Sequence, residues 1–140
     1  MAGCPTREKA LELLHKYTKT DSLRRHALGV EQAMRKMAEK YDGDPNEWGL
    51  AGLMHDFDYE KYPSKEEHPF RGNKILKEKG YPESITRAIM GHATYSGIPR
   101  DTDMAKALFA VDELTGFIFA VTYVRPSKSI FEVKPKSVKK

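Results

Sequence analysis

The sequence predicts an all-α fold, a single compact bundle of about six helices. Three observations support this class. Apolar residues recur at intervals of three and four along most of the chain, capping and helix-ending residues separate these segments, and strand patterns are weak. A length of 140 residues, 39% of them apolar and 31% charged, suits one globular domain. The sequence has no internal repeat and no low-complexity block.

The first three predicted helices lie in the N-terminal part of the chain. The first covers about residues 6–17. The second is capped by Asp21 or Ser22 and ends near Gly43, and the third follows Asp44-Pro45, an N-cap with proline at the first helical position. The apolar stripe of the second helix consists of Leu23, Ala27, Val30, Met34 and Met37.

Two shorter helices follow a polar segment at residues 57–67, which contains Pro63 and is predicted to be a loop. The fourth helix covers about residues 68–80, and Gly80 suits the position just past a helix end. Pro82 opens the fifth helix, and the turn-forming residues 96–99 end the helical pattern.

The sixth predicted helix is the longest and most apolar and covers residues 102–124. Its segment 116–124 has a composition that would also suit a strand, but it continues the helical period. The chain therefore divides into an N-terminal helix packing on the domain (1–20), the main domain (21–126) and a basic C-terminal tail (127–140).

Charge and composition exclude several classes of protein. The net charge is +4, but residues 125–140 alone carry +5, so the rest of the chain sums to −1, and this distribution argues against nucleic acid as a partner. Cys4 is the only cysteine, which excludes an internal disulfide and a thiolate-rich zinc site. The chain lacks both a membrane-spanning apolar run and the apolar core of a signal peptide, so we predict a cytoplasmic protein without a membrane partner.

Several polar residues interrupt apolar stripes. His26 lies three residues after Leu23 on the inner face of the second helix, and His92 lies three after Ile89. Asp112 lies four residues after Leu108, where a lone buried carboxylate would cost several kcal/mol unless its charge were compensated. The dipeptide His55-Asp56 closes the third helix and His68 opens the fourth. The six candidate ligands are His26, His55, Asp56, His68, His92 and Asp112.

Each of these residues alone also has an ordinary explanation. His26 would suit a hydrogen-bonded core histidine, His68 a helix start and His92 a helix end, while Asp112 could pair with Lys106 or Arg87. Together these explanations require several unrelated coincidences. A metal site built from several helices is therefore favoured, with imidazole and carboxylate ligands that suit Fe, Mn, Co, Ni or Zn. His15 does not fit the pattern and is predicted to be a surface residue.

The same residues in the same order resemble the HD-domain superfamily of metal-dependent phosphohydrolases, over about residues 23–129. The resemblance implies that His26, His55, Asp56 and Asp112 bind one divalent metal. It also implies that His68 and His92 bind a second, with Asp56 bridging the two, so that two metals are favoured over one. A hydroxide bridging such a pair would be the nucleophile. The local contexts that match are Arg25-His26, Leu53-Met54-His55-Asp56, His68-Pro69 and Ile89-Met90-Gly91-His92.

The activity implied by the resemblance is hydrolysis of phosphate esters, with a nucleotide or another small phosphorylated compound as substrate. Two alternatives stay open: a di-iron oxygenase with the same six ligands, and a non-catalytic domain that binds a metal or ligand. None of the single-motif enzymes competes, since the chain has no phosphate-binding glycine loop, nucleophile elbow or His-Glu-x-x-His helix.

The candidate catalytic residues are Asp56 and Asp58. In the family that the chain resembles, a glycine often stands two residues after the His-Asp pair, where this chain has Asp58. Asp58 could orient a water or a ligating histidine, or it could be an ordinary loop residue. Arg25 and Arg71, each close in sequence to a predicted ligand, are the candidates for binding substrate phosphate. Relatives of this type commonly continue beyond residue 140, so a truncated C-terminus and a pocket completed by a homo-oligomeric partner are both compatible with the sequence.

Overall fold

The computed structural model describes residues 5–124, except for the side chains of residues 116, 117 and 119–124. Within this part of the chain there are six α-helices and no strand, which confirms the all-α prediction. No helix found there is both long and apolar enough to cross a bilayer. The helices are α1 (Arg7–Tyr17), α2 (Asp21–Lys40), α3 (Pro45–Met54), α4 (Phe70–Glu78), α5 (Glu83–His92) and α6 (Asp103–Val124), with a 3₁₀ turn at Thr94–Ser96.

The helix ends follow local sequence signals in most places. The Asp44 side chain accepts a hydrogen bond from the Asn46 amide, directly before Pro45 opens α3. Gly80 ends α4 with φ of 87°, a left-handed conformation that glycine adopts without steric cost. Residues 116–124 are helical rather than extended, as their period predicts.

Two helix starts differ from the prediction. The cap of α2 is Thr20, and Asp21 is already the first helical residue. The carboxylate of Glu60 accepts bonds from the amides of Lys19 and Thr20 and from the Thr20 hydroxyl, so this distant residue fixes the start of α2. Helix α4 begins at Phe70, two residues later than predicted, which leaves His68 in the preceding turn.

The core lies between α2 and α3 and extends to α5 and α6. Three residues of the predicted α2 stripe, Ala27, Val30 and Met34, are buried. The backbones of α2 and α3 approach so closely that a Cβ on Gly52 would lie 2.8 Å from the Val30 carbonyl oxygen. Helix α6 packs on both α2 and α5, so the four helices that carry most of the candidate ligands surround one interior region.

Helix α1 is fixed to α2 by a buried carboxylate. Glu31 is fully buried, and its oxygens lie 2.6 and 3.0 Å from the guanidinium of Arg7 on α1. Arg35, one turn further along α2, donates a third bond to Glu31 at 3.2 Å. Apolar residues Ala10, Leu13 and Leu14 of α1 belong to the same core as α2 and α3. The predicted domain boundaries stay predictions, and the tail at 127–140 lies outside the described residues.

Candidate metal centre

The six candidate ligands come from four helices and one turn, and they meet in one cluster. His26 lies in the second turn of α2 and Asp112 in the third turn of α6. His55 caps the C-terminus of α3, with Asp56 directly after it, and His92 is the last residue of α5. Because His55 and His92 stand at helix ends, their side chains turn towards the space between the helices.

The first group joins α2, α3 and α6 around Asp112. One oxygen of Asp112, Oδ1, lies 2.7 Å from His26 Nε2 and 3.0 Å from His55 Nε2. His55 is fully buried, while the side chains of His26 and Asp112 are 17% and 22% exposed. Potential ligand atoms of His26, His55, Asp56 and Asp112 all lie within 4.8 Å of one another. The alternative in which Asp112 pairs with Arg87 is wrong, because Arg87 binds Asp101 instead.

The second group joins α3, α5 and the turn before α4 around Asp56. Oδ1 of Asp56 lies 3.1 Å from Nε2 of both His68 and His92. Its other oxygen, Oδ2, lies 3.4 Å from Nε2 of His55 in the first group. Asp56 therefore belongs to both groups and presents a different oxygen to each.

Hydrogen bonds behind the rings fix which nitrogen faces the cluster. Nδ1 of His55 lies 2.6 Å from the Gly52 carbonyl oxygen, and Nδ1 of His92 donates to the Ile89 carbonyl oxygen. Nδ1 of His68 lies 2.6 Å from Oδ1 of Asp58. Since each of these partners is an acceptor, each Nδ1 carries the proton, and Nε2 is the nitrogen that faces Asp56 or Asp112.

The charges in the cluster perturb one another strongly. Burial alone would lower the pKa of His55, but the carboxylates of Asp56 and Asp112 outweigh it and raise that pKa well above its usual value. Burial would also lower the pKa of His68, but the hydrogen bonds and negative charges of Asp56 and Asp58 outweigh it and raise that pKa to about 9. Burial would raise the pKa of Asp56 and of Asp112, yet the histidines hold both well below the usual value.

These contacts fit a divalent metal. A neutral imidazole would direct its Nε2 lone pair at a carboxylate oxygen, which is repulsive unless a proton or a cation lies between them. Two clusters of carboxylate oxygens and imidazole nitrogens, one with four members and one with three, offer the donor types that Fe, Mn, Co, Ni and Zn accept. The cluster therefore has the composition, tautomers and charge balance of a metal site.

Asp58 is buried, with 1% of its surface exposed, and it lies behind His68 rather than at the centre of the cluster. Its Oδ1 accepts the proton of His68 Nδ1, and its Oδ2 accepts a bond from the Gly72 amide at 2.9 Å. A Cβ on Gly72 would lie 2.6 Å from both Cγ and Oδ2 of Asp58. Glycine at position 72 is thus what allows the carboxylate to lie against α4.

The structure does not bring Arg25 and Arg71 to the cluster. Arg25 is 64% exposed and pairs with Asp21 one turn earlier on α2. Arg71 is 61% exposed, pairs with Glu67 and lies over the ring of Tyr62. Within the described residues neither guanidinium contacts a candidate ligand. His15 is exposed on α1, as predicted.

Sequence reasoning missed three residues that contact His68 or its carboxylate partner. Gly72 follows His68 by four residues, and a glycine inside a short helix one turn after a candidate ligand was the signal available. The Tyr59 and His68 rings pack in a T-shaped arrangement, and Tyr95 donates its hydroxyl to the His68 carbonyl oxygen. Neither tyrosine lies in a periodic pattern, so only the folded chain identifies them.

The family assignment agrees with this geometry. The family model of the HD domain matches residues 23–116, about two thirds of the chain, and the protein belongs to the HD-domain family. This superfamily consists mostly of metal-dependent phosphohydrolases. A search of curated proteins and a search of solved structures gave no significant match.

Proposed function

We propose that this protein is a metal-dependent hydrolase of phosphate esters, acting on a nucleotide or another small phosphorylated compound. The observation that carries the proposal is the position of Asp56. Its Oδ2 faces His55 of the first group, and its Oδ1 faces His68 and His92 of the second. A carboxylate arranged in this way is suited to hold two cations side by side, which is the arrangement used for displacement at phosphorus.

Each part of the site then has a role. His26, His55, Asp56 and Asp112 would hold one divalent metal, and Asp56, His68 and His92 would hold the second. The metals would be Fe, Mn, Co, Ni or Zn, and when bound they would offset charge on the phosphoryl oxygens and bring the pKa of a water towards neutrality. The bonds from Nδ1 of His55, His68 and His92 keep these rings in one tautomer and one orientation.

Asp58 is a positioning residue in this proposal. It lies on the far side of the His68 ring from Asp56, so it acts through that ring and not on the substrate. A carboxylate behind a ligating imidazole increases the basicity of the ring and fixes its direction. Asp56, which borders both metal positions, is the candidate for direct participation in the reaction.

The test is turnover of a panel of phosphate monoesters and diesters by full-length protein loaded in turn with Mn²⁺, Co²⁺, Ni²⁺ or Fe²⁺. We expect release of phosphate or alcohol with at least one metal, and a loss of at least about a hundredfold in Asp56→Ala. Asp101→Ala is the matched control, because Asp101 is an exposed partner of Arg87 outside the cluster.

Two results would contradict the proposal. One is the absence of turnover across the panel by protein whose metal content is confirmed at about two per chain. The other is product formation that requires O₂, which would instead support the oxygenase.

A further inference from the structure

Two tyrosines flank the half of the cluster that contains His68. The ring of Tyr59 lies 5.4 Å from the His68 ring, centroid to centroid, with the two planes at 81°. The hydroxyl of Tyr95 donates to the His68 carbonyl oxygen at 2.7 Å. Both tyrosines remain 43% exposed although they contact a residue that is itself buried. Each therefore extends from a candidate metal ligand to the protein surface.

The negative charges of the cluster also act on Tyr95. Its pKa is raised, first by partial burial and then by the negative charges of Asp56 and Asp58 and by neighbouring Tyr59. The ammonium of Lys65 lies 5.7 Å from the centre of the Tyr95 ring. Tyr95 is thus subject to the negative charges of the cluster and also contacts a basic side chain.

Half-exposed aromatic rings next to a phosphoryl-binding centre suit a particular kind of ligand. A planar ring in the ligand can stack on them, as nucleobases stack on aromatic side chains in other proteins. Stacking tolerates many ring types because it depends on the flat face and not on hydrogen bonds. A saturated alkyl group gains little from such a surface.

We infer that Tyr59 and Tyr95 form an aromatic subsite for the planar ring of the substrate, so that phosphate esters carrying an aromatic or nucleobase group are preferred over alkyl esters. This inference rests on the proposed function. It adds the substrate class and the side of the site, next to His68, on which the organic part of the substrate lies.

The experiment compares two non-hydrolysable probes that differ only in the ring. Phenylphosphonate and methylphosphonate are titrated into full-length, Mn²⁺-loaded protein, and both dissociation constants are measured by calorimetry. We expect phenylphosphonate to bind about tenfold more tightly. In Tyr59→Leu, which keeps an apolar side chain but removes the flat ring, we expect this ratio to fall to about one to three.

Tyr41→Leu is the matched control. Tyr41 is 48% exposed and stacks on Trp48 at the C-terminal end of α2. It stands fifteen residues after His26, which is about 22 Å along the helix. The control should keep the wild-type ratio, and metal content measured for both variants shows whether the cluster has stayed intact.

Each outcome has one meaning. Equal affinity for the two probes in the wild-type protein overturns the aromatic subsite but leaves the phosphohydrolase proposal standing. A preference that Tyr59→Leu retains, at unchanged metal content, also overturns it. If Tyr59→Leu loses metal, Tyr95→Leu takes its place, and a retained preference there overturns the inference in the same way. Failure of both probes to bind metal-loaded protein contradicts the proposed function itself.

Discussion

Hydrogen bonds at Nδ1 orient three imidazoles of the cluster. His55 and His92 each donate Nδ1–H to a carbonyl oxygen three residues earlier in their own chain segment, Gly52 and Ile89 respectively. This contact is available because each histidine stands at the end of its helix, where the last carbonyls lack the usual bond from the amide four residues later. His68 lies outside a helix and uses the Asp58 carboxylate instead. The second group therefore depends on a side chain that a single substitution can remove.

We predict that Asp58→Asn and Gly72→Ala weaken one metal position and spare the other. Asparagine has one acceptor oxygen and cannot serve both His68 Nδ1 and the Gly72 amide. Alanine at position 72 would displace the same carboxylate, since its Cβ would lie 2.6 Å from Asp58 Oδ2. Loss of such a partner typically costs 10–100-fold in metal affinity, so after dialysis the metal content should fall from about two to about one per chain.

The measurement is elemental analysis of the dialysed protein, with circular dichroism to verify the fold. Asp101→Asn is the control for Asp58→Asn and should keep the wild-type content. A content of about two in both variants would refute the positioning role of Asp58. Complete loss of metal from both variants would show instead that the two positions do not bind independently.

Some residues of the cluster could be predicted from the sequence and others could not. His26 and Asp112 interrupt apolar stripes, so helical periodicity alone indicates that they face the interior. The pairing of Asp58 with His68 and Gly72 depends on how residues 57–69 fold back on α4, and no local pattern encodes that path. Arg25 and Arg71 illustrate the same limit, because closeness in sequence to a ligand does not determine the direction of a long side chain.

The irregular segment between α3 and α4 connects elements that are distant in sequence. The Phe57 carbonyl oxygen accepts a bond from the buried Thr18 hydroxyl at 2.9 Å. Glu60 accepts bonds from the Lys19 and Thr20 amides at 2.9 and 2.8 Å, directly before α2 begins. Since His26 lies in the second turn of α2, this segment sets the position of α2 as well as that of His68.

Glu60 makes this connection dependent on pH. The Thr20 hydroxyl and the two amides lower its pKa below the usual 4.5, which means that the folded protein favours the ionised carboxylate. A lowered pKa contributes stability above the pKa of the unfolded chain, and this contribution is lost as pH falls through the lower folded pKa. We predict that Glu60→Gln has a lower Tm than wild type at about pH 7 and that the difference shrinks from about pH 5 downwards.

Thermal unfolding followed by circular dichroism from about pH 7 to about pH 3 measures the difference. Glu66→Gln is a suitable control, because Glu66 is an exposed glutamate of the same segment. It should track wild type at every pH. A Glu60→Gln deficit that stays constant or grows as pH falls would contradict the role assigned to the carboxylate.

Most of the helices were predictable because their signals are local. Asp44-Pro45 starts α3, Gly80 ends α4, and the period of residues 116–124 continues α6. The start of α2 was not predictable to the residue, because Glu60, forty residues away, competes with the local capping choices. A helix boundary can thus be predicted from the sequence where the capping residue is local. The prediction fails where a side chain distant in sequence fixes the boundary.

At the scale of the molecule, the cluster joins segments that the chain otherwise keeps apart. His26 and Asp112 are separated by 86 residues, yet Nε2 of one lies 2.7 Å from Oδ1 of the other. The ligands of the two groups belong to α2, α3, α5, α6 and the turn before α4. Without a cation, the raised pKa of His55 and of His68 favours the protonated rings, whose positive charge balances the carboxylates of Asp56 and Asp112. A bound metal would take over that balance and connect the same segments directly.

Metal binding should therefore stabilise the whole domain and not one helix. A ligand that binds only the folded state at a free concentration of 100 times its Kd adds about 2.7 kcal/mol, which for a chain of this size raises Tm by roughly 10 °C. We expect this rise when Mn²⁺ is added to chelator-treated protein, as a single cooperative transition seen by both far-ultraviolet dichroism and Trp48 fluorescence.

Two variants test whether the rise comes from this cluster. Asp56→Asn should lose most of the rise, because Asp56 borders both groups and its loss weakens both metal positions. Asp101→Asn, outside the cluster, should keep the rise. A Tm that does not respond to Mn²⁺ or to the other transition metals would count against a metal site at this cluster. A response that Asp56→Asn retains in full would place the bound metal elsewhere.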